Sequence, residues 1–453
     1  MAEVIKIKRG LDIKMNGQAE KIYVKAPRAL TYAIKPGDWH GLTPKIIPKL
    51  CDEVKVGTPI FYDKYHPEVK FTSPVSGILS SINRGERRRI VEVVVEADGK
   101  DTAESFLQAD PATLKREQVV ENLLESGLWP VIRRRPYSVI ARTGEVPKSI
   151  FISAFDTAPL APDFDFLLKD SEEDFQWGIN ALKKLTEGKV HLNLDGRYPS
   201  VRTLNNIKGV EINRFKGPHP AGNVGIQIHK LDPINKGEVV WVVQPQDVLA
   251  IGRLFRTGLY DPSVVVALTG ARVEKPRYFR TIRGAAVAPL LEKQLKEGDN
   301  RVISGSVLNG KQIDAEKGYV GFLDSQLTVI REGNYYELFG WMLPGFKKMS
   351  VSRSFASTWL APNRKFDMDT NYHGGERAFV MTGEYEKVLP MDIYPMQLLK
   401  AILVNDIDKM EQLGIYEIDE EDLALCEFVC TSKTPVTKIV RDGLRALRKD
   451  MEE

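Results

Sequence analysis

The sequence predicts a multidomain α/β protein, and three observations predict it. A chain of 453 residues is too long for one hydrophobic core and matches roughly three units of ordinary domain size. The first hundred residues show β-type alternation, whereas from about residue 149 onward apolar runs of strand length alternate with segments of helical spacing. The last sixty or so residues are patterned as helices throughout. Four parts follow: a β domain at 1–100, an alternating α/β domain at 101–262, a small mixed module at 263–335, and a connecting segment with a helical domain at 336–453.

Taken in order, the opening MAEVIKIKRG alternates as a strand does. Residues 54–79, VKVGTPIFYDKYHPEVKFTSPVSGIL, predict two alternating β segments joined by a polar turn, with Gly57 and Gly77 at bends, and 90–97 (IVEVVVEA) closes the unit. Asp110 and Pro111 form a helix start, aspartate at the cap and proline at the first helical position. A strand at 149–155 precedes a helix from Ser171, where SEED forms a capping box and Phe175, Ile179 and Leu182 share one face before Gly188. Strands at 189–194 and 238–243, a helix at 247–256 ending at Gly258, and a strand at 263–269 complete a Rossmann-like, largely parallel sheet. Residues 264–330 mix short strands with one helix near 286–295. A helix spans 392–413, and Thr434-Pro435 caps a last amphipathic helix through Val436, Ile439, Val440, Leu444 and Leu447. There is no internal repeat and no low-complexity tract.

A charged fraction of 28% with net charge +3 describes an ordinary surface and lacks the basic excess of a nucleic-acid-binding chain. The runs EVVWVV and SVVVALT are far shorter than the ~20 residues of a membrane-spanning helix. The N-terminus lacks the basic-then-apolar layout of a signal peptide, and three cysteines fit reducing conditions, so the expected compartment is the cytosol.

Residues 216–233, KGPHPAGNVGIQIHKLDP, gather two of the six histidines with glycines and prolines that specify tight turns at Gly217-Pro218 and Ala221-Gly222. Together with SIFISAFDTAPLAPD (149–163), QDVLAIGRLFRTG (246–258), RVISGSVLNG (301–310), NYHGGER (371–377) and DEEDLALCEFVCTSK (419–433), this run resembles the A-subunit family of Na+-translocating NADH:quinone reductases. The resemblance implies a peripheral subunit on the cytoplasmic side of the bacterial inner membrane, held there by membrane subunits. The complex it implies uses NADH, flavins, Fe–S centres and quinone and exports sodium, while this chain binds no cofactor of its own. Residues 54–79 also resemble half of a lipoyl-like or biotinyl-like β-sandwich, with Lys64 where a carrier lysine would stand; the reductase family implies an unmodified scaffold. Residues 264–330 resemble the β-grasp (SLBB-like) module beside the flavin domain of respiratory NADH dehydrogenases. The whole resembles the flavin- and iron-sulfur-bearing subunit of complex I and the C-subunit of the Rnf complex.

Against those redox relatives, the stretch equivalent to their phosphate cradle, residues 127–148, holds only Gly127 and Gly144, with Arg133, Arg134, Arg135 and Tyr137 between, so the cradle is expected to be lost. Gly217, Gly222 and Gly225 have neither the dinucleotide-loop nor the P-loop order. Asp156 stands where the flavin subunits place an acidic residue, although an aspartate satisfying nearby turn amides is the plainer reading. Cubane clusters need four thiolates, and Cys51, Cys426 and Cys430 do not supply them. Cys426 and Cys430 are four apart on an expected helix and read as buried thiols or as partial ligands shared with another subunit; the family's proline after the second cysteine is Thr431 here. His219 and His229 lack a zinc context. As a quinone-contacting set the candidates are Trp129, Arg133, Tyr137, Asp156, His219 and His229, because a quinone carbonyl accepts hydrogen bonds inside an otherwise apolar pocket; for the histidines the plain alternative is bracing of the turn. The basic runs 87–89 and 133–135 read as solvated surface or as contacts to partner subunits or anionic lipid. Two rival functions are an autonomous flavin-dependent NADH dehydrogenase and a lipoyl-type carrier.

Overall fold

The computed structural model describes residues 4–198, 204–340 and 342–452. Its centre is a seven-stranded sheet of β1 (Val4–Lys6), β2 (Arg133–Arg135), β3 (Val139–Ile140), β4 (Ser149–Ser153), β5 (Lys189–Asp195), β6 (Glu211–Lys216) and β7 (Val240–Val242), in the order β1-β6-β5-β4-β7-β2-β3. The first five in that order are mutually parallel; at one edge β2 is added antiparallel to β7, and β3 antiparallel to β2. Side chains alternate across a strand, so Ile150 and Ile152 enter one apolar core and Phe151 the other.

On the first face lie α1 (Glu172–Lys183) and α3 (Pro245–Thr257). They touch backbone to backbone: a Cβ at Gly252 would stand 1.7 Å from the Asp174 carbonyl oxygen, and one at Gly178 would stand 2.1 Å from that of Val248. Glycine is required at both by close approach, not by φ. Gly258, at φ 71°, ends α3 in the left-handed conformation. Phe175, Ile179 and Leu182 are buried as their spacing predicts, but Ser171 makes no side-chain cap bond, so the capping box does not form.

The second face carries α2 (Val224–Leu231) and the C-terminal helices, among them α4 (Glu420–Val429) and α5 (Val436–Glu452). The helix expected over 392–413 is two, Pro395–Leu403 and Ile407–Gln412. Asn405 takes φ 54° between them, and Asp406 starts the second by accepting from the Lys409 N–H.

The N-terminal β unit packs a four-stranded sheet (Thr31–Ile34, Ile90–Ala97, Gly77–Arg84, Glu53–Val54) against a three-stranded one (Pro44–Ile46, Pro59–Asp63, Lys70–Thr72). The two segments expected in 54–79 are thus four strands divided between two sheets, with Phe61 stacked on Phe71 at 4.6 Å in the core. Lys64 follows the strand Pro59–Asp63 and is exposed. Asp110 does cap, accepting from the Ala112 N–H, but it starts only the short turn Pro111–Thr113; the helix proper is Arg116–Glu125.

A third sheet joins Lys311–Ile313, Asn300–Ser304, Gln326–Arg331, Ser263–Thr269 and Arg277–Ile282, and its far edge is Glu20–Lys25 from the start of the chain. The first 25 residues therefore stitch two sheets together. The helix expected near 286–295 is the single turn Ala288–Leu291: Glu292 leaves the helical conformation with ψ 123°, and Lys293 follows at φ 57°.

Candidate functional site

In open α/β sheets ligands meet the carboxyl ends of the parallel strands. Here that edge is formed by the loop after β4 (154–161) and the proline-rich loop after β6 (217–223). A Cβ at Gly222 would lie 2.5 Å from the Thr157 nitrogen and 2.9 Å from the Asp156 Cα, so the two loops also meet backbone to backbone. Gly222 N–H donates to Thr157 Oγ1 (2.9 Å), and Ser153 Oγ donates to the Gly222 carbonyl (3.0 Å).

His219 sits in this joint, 3% exposed, its backbone N–H bound to Asp12 (2.9 Å) and its Nδ1 3.2 Å from Thr157 Oγ1. Burial pushes the imidazole down to about 4, so the ring is neutral at pH 7. Its Nε2 is buried with no hydrogen-bond partner. When Thr157 donates to Nδ1, the ring proton resides on Nε2, which is then a donor in search of an acceptor. Asp156 accepts from the Ala158 N–H at 2.7 Å, as a turn aspartate does, and burial raises its carboxyl above the ordinary value.

A buried polar row beneath the loops escaped the sequence reading. Asn213 on β6 donates to Asn193 on β5 (3.0 Å), Asn193 to Gln227 on α2 (2.7 Å), and Gln227 to Ser153 on β4 (2.8 Å). The signal available was asparagine at the inward positions of HLNLD and EINRF. Each amide is satisfied by the next, which makes such a row specific instead of merely costly.

The other candidates make different contacts. Trp129 is fully buried in the α1/α3 core, donating to the Ala141 carbonyl (2.7 Å) and edge-on to Trp241 at 5.6 Å. Tyr137 belongs to the opposite core, with the Arg134 guanidinium 5.5 Å from its ring centre. Arg133 is half-buried on β2. His229 lies in the last turn of α2 with both ring nitrogens engaged, Nδ1 with Glu417 (2.6 Å) and Nε2 with the Asp392 N–H (3.1 Å). The structure thus places Asp156 and His219 on two loops that meet, sets Trp129 in the α1/α3 core, puts Tyr137 in the same core as Phe155 and Ala221 of those loops, and commits both ring nitrogens of His229 to other partners.

The basic run 133–135 is not solvated surface, a correction with a clear electrostatic cause. Arg135 is buried and meets Glu421 (2.6 Å), Asp422 (3.1 Å) and Asp419 (3.4 Å) at the N-terminus of α4. Arg441 adds bonds to Asp419 and Glu420, both 2.7 Å, and to the Tyr137 carbonyl (2.9 Å). Arg134, also buried, meets Glu145 (3.3 Å) and Glu452. Burial alone would raise the Asp419 carboxyl, but Arg135 and Arg441 hold it well below the ordinary range. Burial, with Glu421 and Asp419 alongside, pushes Asp422 up to about 7 in spite of Arg135. Asp422 also roofs the start of α2, since a Cβ at Gly225 would lie 2.1 Å from its Oδ2. A helix N-terminus that elsewhere receives a phosphate is here covered by a carboxylate of the same chain.

Cys426 lies inside α4 with its thiol pushed far up by burial, whereas Cys430 is the first residue beyond that helix and does not continue its face. Cys430 Sγ accepts from Tyr385 (2.9 Å) and the Thr434 N–H (3.3 Å); burial opposes ionisation, yet these bonds bring its thiol below the usual value. Among the described residues no group of three or more His, Cys, Asp or Glu is arranged to hold a metal ion. A surface cleft of about 430 Å³ lies elsewhere, against the helix Arg116–Glu125, where Val120 and Leu124 line it together with Glu68, Glu117, Glu121, Lys70 and Arg116.

A barrel-like β-sandwich, a parallel α/β sheet sealed by a helical domain, and a small mixed sheet define a multidomain α/β chain. Family models agree module by module: NqrA N-terminal barrel-sandwich hybrid domain over residues 5–98, NqrA second alpha/beta domain over 114–260, and NQRA C-terminal domain, of the SLBB kind, over 265–315. Proteins named as the A-subunit of Na(+)-translocating NADH-quinone reductase are similar over the full length: 41% identical in Photorhabdus laumondii, 42% in Yersinia pestis and 41% in Neisseria meningitidis, each alignment covering 99% of this chain and 100% of the relative. The chain belongs to this family, the A-subunits of Na(+)-translocating NADH-quinone reductase.

Proposed function

We propose that this chain acts as a peripheral subunit of a Na+-translocating NADH:quinone reductase, on the cytoplasmic side of the membrane, where it supports electron transfer from NADH to quinone coupled to sodium export. The observation that carries the reading is identity of 41–42% with A-subunit relatives over 99% of the chain. No helix among the described residues is long and apolar enough to cross a membrane, which fits attachment through membrane subunits. The reading keeps the four-part division at 1–100, 101–262, 263–335 and 336–453, and it assigns the complex-level reaction to the assembly and not to the isolated chain.

In this reading the chain has no flavin or Fe–S centre of its own, and Asp422 over the start of α2 supports it, because an incoming phosphate would meet a carboxylate. Of the quinone candidates His219 has the best support, its Nε2 being buried and unpartnered where the two loops meet. Saturable binding of a quinone analogue to the isolated chain, weakened by His219→Ala, is the expected result; binding that appears only in the assembled complex places the quinone elsewhere. Co-purification with membrane subunits from native cells tests the assembly. A yellow preparation that reduces ferricyanide with NADH would favour the autonomous dehydrogenase, and a mass increment on Lys64 the carrier.

A further inference from the structure

Between the third sheet and the C-terminal helices the chain makes an excursion whose root is pinned and whose body is not. At the root Gly333 N–H donates to Thr370 (2.8 Å), Asn371 to the Tyr335 carbonyl (2.6 Å), the Phe366 N–H to the Lys14 carbonyl (2.9 Å) and Asn16 to Asp367 (2.6 Å). Within it, Ala356 N–H donates to the Pro344 carbonyl (2.8 Å), Ser357 to that of Lys348 (2.6 Å) and Arg364 to that of Phe346 (3.0 Å), so the arm has a shape before it meets anything.

What it displays is apolar. Tyr336 is fully exposed, Leu338, Trp359 and Leu360 are 83%, 72% and 73% exposed, and Met342 and Phe346 are exposed as well. Soluble surfaces seldom gather so many large apolar groups unless another surface covers them. The charge is one-sided too: residues 338–366 contain Lys347, Lys348, Arg353, Arg364 and Lys365 and no aspartate or glutamate. Lys348 is answered by Glu337, while among the described residues Lys347, Arg353 and Lys365 are exposed and make no ion pair.

We propose that residues 342–361, with Tyr336 and Leu338, form a docking arm for another subunit of the reductase, one whose contacting face has an apolar centre and a carboxylate rim. The proposal rests on the reading of the chain as a subunit of that complex. Aromatic side chains, methionine and arginine at the centre of a patch are the composition of protein interfaces. A bilayer suits the arm less well, because its one helix, Ala356–Leu360, is a single turn, and irregular backbone cannot satisfy its polar groups in hydrocarbon.

The test uses the assembled reductase, isolated through a tag on a different subunit. Amides of 342–361 should exchange at least about ten-fold more slowly in the complex than in the free chain. The variant F346S/W359S/L360S should weaken retention in the complex by about 30-fold, the scale of one strong interface anchor, with thermal unfolding of the free chain unchanged because all three side chains are exposed. K347E/R353E/K365E should weaken retention as well, by reversing the charge offered to the rim. A complex that retains the chain while the arm exchanges as it does in the free state overturns the arm and leaves the subunit reading standing. A complex isolated without the chain overturns the subunit reading, and the arm with it. If the free chain binds phosphatidylcholine–phosphatidylglycerol vesicles and the serine variant does not, the protein partner is overturned in favour of a lipid surface.

Discussion

Replacing Arg135 by methionine removes the one buried cation facing three carboxylates, Asp419, Glu421 and Asp422, at 3.4, 2.6 and 3.1 Å. Breaking a buried ion pair by deleting one partner costs about 3–5 kcal/mol, because the other charge stays buried and unanswered. Two features place this case near the lower end. Arg441 still holds Asp419 at 2.7 Å, and Asp422, already pushed up to about 7, can take a proton cheaply. The expected loss near pH 7 is therefore about 3 kcal/mol, or about two orders of magnitude in the opening equilibrium of the helical domain. The pH dependence has a definite sign. A carboxyl raised in the folded state contributes stability that is complete below its unfolded value of 3.8 and lost as pH rises through about 7. Without Arg135 the folded-state value rises further, so the loss continues above pH 7 at up to about 1.4 kcal/mol per pH unit. Amide exchange of α4 and α5 at pH 6, 7 and 8 measures this directly. R135M should open these helices most at pH 8, and R135M/D422N should recover a large part of the loss and flatten the slope. An R135M protein whose helices exchange like the parent at pH 8, or a double variant with no recovery, would refute the assignment.

Three further outcomes are expected. Gly252→Ala should separate α1 from α3 and cost about 3 kcal/mol or more, read as a lowered thermal midpoint, since the new Cβ would lie 1.7 Å from backbone oxygen that cannot rotate away. His219, lowered by burial to about 4 from 6.5, contributes stability that is full above pH 6.5 and lost as pH falls through 4; His219→Gln should flatten that acid limb of a stability-versus-pH curve, by about 3 kcal/mol across the window. Lys293→Gly should raise the thermal midpoint slightly, by relief of up to about 1 kcal/mol at φ 57°, and a decrease would show that the lysine stem packs more than its backbone strains.

Local periodicity made much of the fold legible. The strands Ile90–Ala97 and Ser263–Thr269 coincide with their apolar runs, although the second joins the third sheet and not the central one expected for it, and Pro245–Thr257 ends at Gly258 because only a residue at ease with positive φ stops a helix that way. Helix lengths were less legible at Asn405 and Lys293, ordinary residues held in the left-handed region by their surroundings, and Ser171 kept a capping pattern without the bond. At the candidate site the tight turns of 217–223 could be read from proline and glycine, but the partners of His219 could not, since Thr157 and Asp12 reach it from distant parts of the chain. Arg134 and Arg135 were misread for a related reason: a run of arginines looks solvated until Asp419, Glu421, Asp422 and Glu452 come to answer it.

By itself the sequence determined where strands and helices form, which faces they bury, where the chain turns, and which family it resembles, because those properties depend on neighbours within a few residues or on the order of whole segments. Only the tertiary structure decided that β1 and Glu20–Lys25 join different sheets, that Asn193, Asn213 and Gln227 form one satisfied row, and that Asp422 covers the start of α2. The physical reason is that burial and charge compensation are properties of pairs brought together from far apart. A buried arginine is tolerable only where the folded chain delivers its carboxylates, and nothing local to residues 133–135 announces their arrival.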